Sequence, residues 1–245
     1  MTKTILITGG SKGLGLCITQ RQLEHRNCVI VLSRSHGGLA PLLEQYPEQL
    51  HWIQTDLASP ANIDESFTHV RHITEKLDAL ILNAAQSTPM VFSKMSAEDL
   101  RKSFDINAIS TLLCLKHSLT LLTGGRAVFV SSESVPSPYP LLSIYAATKA
   151  AIENAFIGLR PELYRDFKIQ LTSLRAGHMG NTSFNETWPD EDAQMFYQLA
   201  TESGSMAAGG SPMQTARVAE VIEKIIDLPK DVTINALDVR SGDSF

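Results

Sequence analysis

A hydroxyl, a phenol and an ammonium stand in an order that could handle one reacting carbonyl: Ser132, then Tyr145 and Lys149 four residues apart. The pair lies in Tyr145-Ala-Ala-Thr-Lys149-Ala-Ala-Ile-Glu-Asn-Ala-Phe, an alanine-rich run whose helical period stacks i and i+4 on one face. A neighbouring cation favours phenolate, so Lys149 is expected to lower the phenol pKa from ~10 toward the range of a general acid or base. Ser132 ends the apolar run that begins at Arg126 and reads as a buried strand, so its hydroxyl would project from the strand's carboxyl end. In an open α/β sheet, ligands bind at that edge. Tyr-x-x-x-Lys by itself is a weak pattern that two helix-surface residues also produce, so the surrounding elements must carry the argument.

Those elements alternate. Thr4–Thr8 reads as a short buried strand, and Gly9-Gly-Ser11-Lys12-Gly13-Leu14-Gly15 opens a helix to about His25. Glycines let a backbone approach a pyrophosphate, and the amides of a helix start favour its negative charge. The second strand, Cys28–Ser33, decides which dinucleotide fits. A site for NAD places an acid after it to bind the ribose 2′-hydroxyl, whereas here Ser33-Arg34-Ser35 follows. Arg34, helped by Lys12, would attract a 2′-phosphate of ~1.5 to 2 negative charges, which points to NADP; a solvated loop arginine is the plain alternative.

Further strands are expected at 50–54, 78–85, 126–132, 168–174 and 231–237, with helices near 38–46, from Ser59-Pro60, over 96–122, from Tyr145, and over 212–228. Asp56 follows a strand end, where it could meet an adenine amino group or contact local turn backbone. Asn107 sits mid-helix, where asparagine is poor; solvent exposure is the plain explanation. His69 and His72 lack a third ligand, so no metal site is expected. Pro161 falls inside the Tyr145 helix and is expected to kink it. From Arg175 to about Ser211 the pattern lapses around one short helix near 190–201, and a glycine-flanked segment of this kind beside a site, here about 177–211, commonly acts as a lid. Its Phe184, Trp188, Met195, Phe196 and Tyr197 could cover an apolar substrate or pack against the domain body or a neighbouring subunit.

The whole reads as one α/β domain over residues 1–245, a doubly wound parallel sheet of about seven strands with helices on both faces. The 43% hydrophobic and 19% charged composition suits a globular protein. A net charge of −5 without a basic block argues against nucleic acid or an anionic membrane as partner. Cys17, Cys28 and Cys114 have no metal spacing and read as buried free thiols, and no apolar run nears the ~20 residues that span a bilayer. A cytoplasmic protein acting on small molecules is expected.

In this order the motifs resemble the short-chain dehydrogenase/reductase family across essentially the whole chain. Thr8-Gly9-x-x-x-Gly13-x-Gly15 is similar to its glycine pattern, and Asn107, Ser132, Tyr145 and Lys149 to its catalytic tetrad. The resemblance implies that Tyr145 gives or takes the proton and Lys149 lowers its pKa and binds the nicotinamide ribose. It further implies that Ser132 orients the substrate oxygen and Asn107 holds a water in a proton relay. Cofactor contacts would come from Gly9, Ser11, Lys12, Gly13, Leu14 and Gly15 in the turn, from Ser33 and Arg34, from Asp56 and Leu57, from Asn83 and Ala84, and from Gly177 and Met179 beside Tyr145 and Lys149. The chain departs from the pattern at Ala85, where glycine is usual, at Ala176 before Gly177, and at Asn181-Thr182, where the usual threonine is displaced.

Overall similarity points to 3-oxoacyl-thioester reductases, which would imply a thioester or polyketide-like substrate. The positions that would dock an acyl carrier protein are Thr123 and Asp166 rather than bases, which argues against docking of that kind. The implied activity is NADP-dependent interconversion of a ketone and a secondary alcohol in a homodimer or homotetramer. A dinucleotide-binding sensor or scaffold without turnover, and a dehydratase or epimerase on the same fold, are the alternatives.

Overall fold

The computed structural model describes residues 2–180, 182, 184–186, 188–204 and 211–242. Its centre is a seven-stranded, wholly parallel sheet: β1 (Thr4–Thr8), β2 (Cys28–Ser33), β3 (Leu50–Gln54), β4 (Ala79–Leu82), β5 (Arg126–Ser132), β6 (Gln170–Ala176) and β9 (Ala236–Val239). Two-residue strands β7 (Met179–Gly180) and β8 (Met213–Gln214) pair separately. The spatial order is β3-β2-β1-β4-β5-β6-β9, so the chain builds outward from β1, then returns to its other side with β4. The crevice at that reversal is the ligand position of this architecture.

Strand periodicity explains the two layers. Ile5, Ile7, Val29, Val31, Val128 and Val130 face one core with Ile18, Val218 and Ile222, from helices α1 (Gly13–Glu24) and α8 (Thr215–Ile226). The alternate residues Leu6, Ile30, Leu80 and Phe129 face the other. There they meet Phe67 of α3 (Pro60–Ile73), Leu115 of α5 (Ser110–Ser118) and Phe156 of α6 (Ser143–Phe167). Fully burying each such aromatic or aliphatic side chain contributes roughly 1.5 to 3 kcal/mol. Far from the crevice, Arg126 is 2% exposed, and one guanidinium nitrogen lies 2.6 to 3.0 Å from the carbonyls of Leu228, Pro229 and Val232, tying the loop before β9 to the sheet.

Several expectations are corrected. The helix expected over 96–122 is α4 (Ala97–Phe104), a π-helical turn at Asp105–Ile109, and α5. Asn107 lies in that turn and is 1% exposed, so solvent does not account for it. Ser96 caps α4 through a reciprocal box with Asp99, as its Ser-Ala-Glu-Asp signal implies. α6 runs unbroken through Pro161, which lies on an exposed face. The last strand begins at Ala236 rather than near 231. α2 (Ala40–Gln45) follows a short 3-10 turn, and α7 (Asp190–Glu202) is the helix expected near 190–201. Of the cysteines only Cys114 is buried; Cys17 and Cys28 are half-buried, and burial raises all three thiol pKa values. Among the described residues no helix is long and apolar enough to cross a membrane.

Candidate active site

One cavity of about 720 Å³ opens along the carboxyl ends of β1, β2, β4, β5 and β6. It is lined by every residue expected at the cofactor and by Ser132, Tyr145 and Lys149. At the reversal point Gly9 takes φ +69°, and a Cβ there would sit 3.0 Å from Ala84 Cα. A Cβ on Gly15 would lie 2.1 Å from Gly9 O, so glycine is needed for α1 to start this close to the turn. The buried Thr8 hydroxyl accepts the amides of Asn83 and Ala84 at 3.1 and 3.2 Å, and Asn83 Nδ2 returns bonds to Thr8 O and Gly9 O at 3.1 and 3.2 Å. These bonds lock the glycine turn to the end of β4.

Lys12 and Arg34 place two exposed cations at this end, with no carboxylate following β2. Lys12 Nζ lies 3.8 Å from Glu186, in the segment before α7. Asp56 Oδ1 accepts the amide of Ala58 at 3.0 Å, a local turn contact, and the residue also lines the cavity. Backbone amides, a helix start and two exposed cations form a donor set that fits a dinucleotide bearing a 2′-phosphate.

At the other end α6 places Tyr145 and Lys149 one turn apart, as their spacing requires. Lys149 is 2% exposed, donates to Val130 O at 2.7 Å, and has its ammonium 4.8 Å from the centroid of Phe129 and 5.7 Å from that of Tyr145. Burial pulls its pKa down to about 7, opposed by the charge of Glu153. The phenol shifts opposite to expectation: burial pushes the Tyr145 pKa up, and the Ser132 side chain works against that rise. Without ligand, then, the phenol is held protonated. Ser132 Oγ accepts from the Ser134 amide at 3.1 Å and lies 2.9 Å from the Ser134 hydroxyl.

Asn107 stands behind the cavity. Its Oδ1 accepts the Gln86 amide at 2.8 Å, and its Nδ2 donates to Gln86 O at 2.9 Å and to Thr148 Oγ1 at 3.3 Å. It thus pins the chain after β4 to α6. Ala85, in place of the usual glycine, is exposed and lines the cavity, and Ala176 is buried. Asn181, Gly209 and Gly210 lie outside the described residues. His69 and His72 are both exposed, and no group of metal-binding side chains occurs among the described residues.

Sequence reading missed a second layer. Glu153 continues the Tyr145–Lys149 face at i+8, accepts the Ser131 hydroxyl at 2.5 Å, and forms a two-nitrogen pair with Arg175 of β6, the shortest contact being 2.6 Å. Cutting one partner from such a buried pair costs on the order of 3 to 5 kcal/mol. The i, i+4, i+8 spacing was the available signal. Also missed were Glu133, which accepts the Tyr139 hydroxyl at 2.6 Å, and Ser87, whose carbonyl accepts Trp188 Nε1 at 2.9 Å. Trp188, Phe196 and Ala200 pack on Leu142, Tyr139 and Tyr145, while Phe184, Met195 and Tyr197 remain partly exposed.

A family model described as short chain dehydrogenase matches residues 3–193. The chain is 25% identical over 242 residues to the NADP-dependent 3-hydroxy acid dehydrogenase of Salmonella typhi, covering 96% of this chain and 93% of that protein. It is 25% identical over 244 residues to the serine 3-dehydrogenase of Agrobacterium fabrum, covering 98% and 94%. An alcohol dehydrogenase of Thermococcus sibiricus, solved with 5-hydroxy-NADP, superposes with a TM-score of 0.82 at 21% identity over 99% of this chain and 97% of that one. With the glycine turn at the reversal point and Ser132, Tyr145 and Lys149 in one crevice, the match over residues 3–193 establishes that the chain belongs to the short-chain dehydrogenase family.

Proposed function

We propose that the protein is a cytoplasmic, NADP(H)-dependent oxidoreductase that interconverts a ketone and a secondary alcohol, with Tyr145 as general acid/base. One observation carries this reading: Tyr145, Ser132 and Lys149 line the same cavity as the glycine turn and the Lys12–Arg34 cation pair. The NADP dependence named for the Salmonella relative supports the choice of dinucleotide. When bound, the nicotinamide supplies or accepts the hydride. In reduction the protonated Tyr145 donates its proton to the carbonyl oxygen, with Ser132 beside it to orient that oxygen. Lys149, anchored on Val130 O, supplies positive charge that steadies the phenolate left behind. Asn107 keeps Gln86 and Thr148 in register behind them. The 177–211 segment, seated on the Tyr139–Tyr145 stretch through Trp188 and Phe196, serves as the cover that excludes water.

A screen of ketones and alcohols for change at the nicotinamide absorbance band tests this. Stoichiometric NADPH loss is expected; cofactor binding without loss would favour the sensor reading, and recycling of the cofactor the epimerase reading. Arg34→Asp removes a charge-assisted contact and adds repulsion, so it should erase about tenfold to 100-fold of preference for NADPH over NADH. Equal affinities of the unaltered protein for both cofactors would contradict the assignment.

The reading extends to self-association as a dimer or tetramer. Phe104, Ile109, Ile157 and Tyr164 lie on the α4 to α6 layer and are 38 to 63% exposed, more apolar surface than a monomer needs there. Sedimentation should show a dimer or larger, and Ile157→Arg should shift it toward monomer.

A further inference from the structure

The reactive end of the cavity has a definite chemical character. Beginning at Tyr145, an unbroken series of edge-on ring contacts leads away from the phenol: Phe184 at 5.3 Å, then Trp188 at 5.5 Å, Phe196 at 5.1 Å and Tyr197 at 5.3 Å between successive centroids. Tyr139 closes on Phe196 from the β5 side at 6.0 Å. Such a wall takes up flat apolar groups by burial and edge-to-face contact. At the reacting position the polar groups are those of Ser132 and Tyr145, while Ser87 borders the wall with its Oγ buried.

Charge points the same way. In the sequence the stretches 133–144 and 177–214 contain no lysine or arginine and carry six acids, of which Glu133 and Glu186 line the cavity. Lys12 and Arg34 belong to the phosphate end, Lys149 is buried on Val130 O, and His178 is the remaining basic side chain lining the cavity. Glu133 sits at the reactive end itself, holding the Tyr139 hydroxyl at 2.6 Å, with Arg240 at 3.9 Å. A substrate carboxylate or phosphate placed against the ring wall would meet Glu133 and Glu186, and the cations nearest them, Arg240 and Lys12, already face those carboxylates rather than the space beside the rings.

We infer that the substrate is an uncharged, ring-bearing ketone or secondary alcohol, and that hydroxy acids and anionic thioester carriers are excluded from this site. The inference rests on the carbonyl–alcohol reading above and narrows it. Hydroxy acids are the chemistry named for the Salmonella relative, so the exclusion is a specific departure.

Two probes of one skeleton test it: methyl para-acetylbenzoate, uncharged, and para-acetylbenzoate, its anion. Calorimetry on the wild-type protein saturated with NADP+ should show the ester binding at least about tenfold more tightly than the acid. Turnover with NADPH should favour the ester by about 100-fold in kcat/KM. Phe184→Ala, at an exposed position, should raise KM for the ester while leaving NADPH affinity unchanged. Acid binding equal to or tighter than ester, or no ester binding at millimolar concentration, overturns the inference. Tight ester binding without NADPH consumption would instead overturn the proposed reaction while leaving the preference for uncharged rings in place.

Discussion

Tyr145→Phe should lower carbonyl reduction by about 100-fold or more while NADPH binding stays within about twofold of the unaltered protein, as expected when a general acid is removed. The substitution keeps the ring and so its 5.3 Å contact with Phe184, and it takes away only the hydroxyl. Steady-state kinetics paired with a fluorescence titration of NADPH separates the two effects. Near-native rates would show that Tyr145 is not the acid. The protonation state adds a sign. Burial raises the phenol pKa, so the phenol stays protonated across neutral pH, and reduction should fall there only as Lys149, whose pKa burial lowers to about 7, loses the charge that steadies the phenolate. Alcohol oxidation, which needs the phenolate, should speed up as pH rises.

Gly15→Ala should cost about 100-fold in NADPH affinity and lower the melting temperature as well. The added methyl would lie 2.1 Å from Gly9 O and 2.7 Å from Asn83 Nδ2, so the turn and the end of β4 must separate. That separation opens the hydrogen bonds from Asn83 to Thr8 O and Gly9 O that hold the crevice in shape. Gly158 is the control: it lies inside α6, and a methyl added there would meet nothing within 4 Å. Gly158→Ala should stabilise by about 0.5 to 1 kcal/mol with cofactor affinity unchanged. Equal behaviour of the two variants in titration and thermal melts would contradict the structural reading of the turn.

The parts of the site that depend on local periodicity could be read from the chain. Tyr145 and Lys149 share a face because helix geometry demands it, and the glycines between Gly9 and Gly15 announce a strand-to-helix turn because a Cβ at Gly9 or Gly15 would meet backbone. The parallel sheet followed from apolar strands alternating with helical runs. Long-range partners were hidden. Asn107 looked like a misplaced surface residue because its reasons, Gln86 at 21 positions' separation and Thr148 at 41, lie elsewhere in the chain. The π-helical turn that holds Asn107 has no distinct hydrophobic period, so the stretch read as one helix. The Tyr145 pKa was likewise misjudged from spacing alone: a neighbouring ammonium suggests a lowered phenol pKa, whereas burial raises it and also pulls the Lys149 pKa down. Arg175 read as the start of an irregular segment, yet it closes β6 and anchors Glu153.

The most direct test of the central claim follows one hydrogen atom. NADPH carrying deuterium on the transferring face of nicotinamide C4 is incubated with the protein and methyl para-acetylbenzoate, and the product is examined by mass spectrometry and NMR. Hydride transfer predicts one deuterium on the carbinol carbon, of one configuration, with one equivalent of oxidised cofactor formed per alcohol. Product without deuterium, or label returned to the cofactor with no net oxidation, would contradict it.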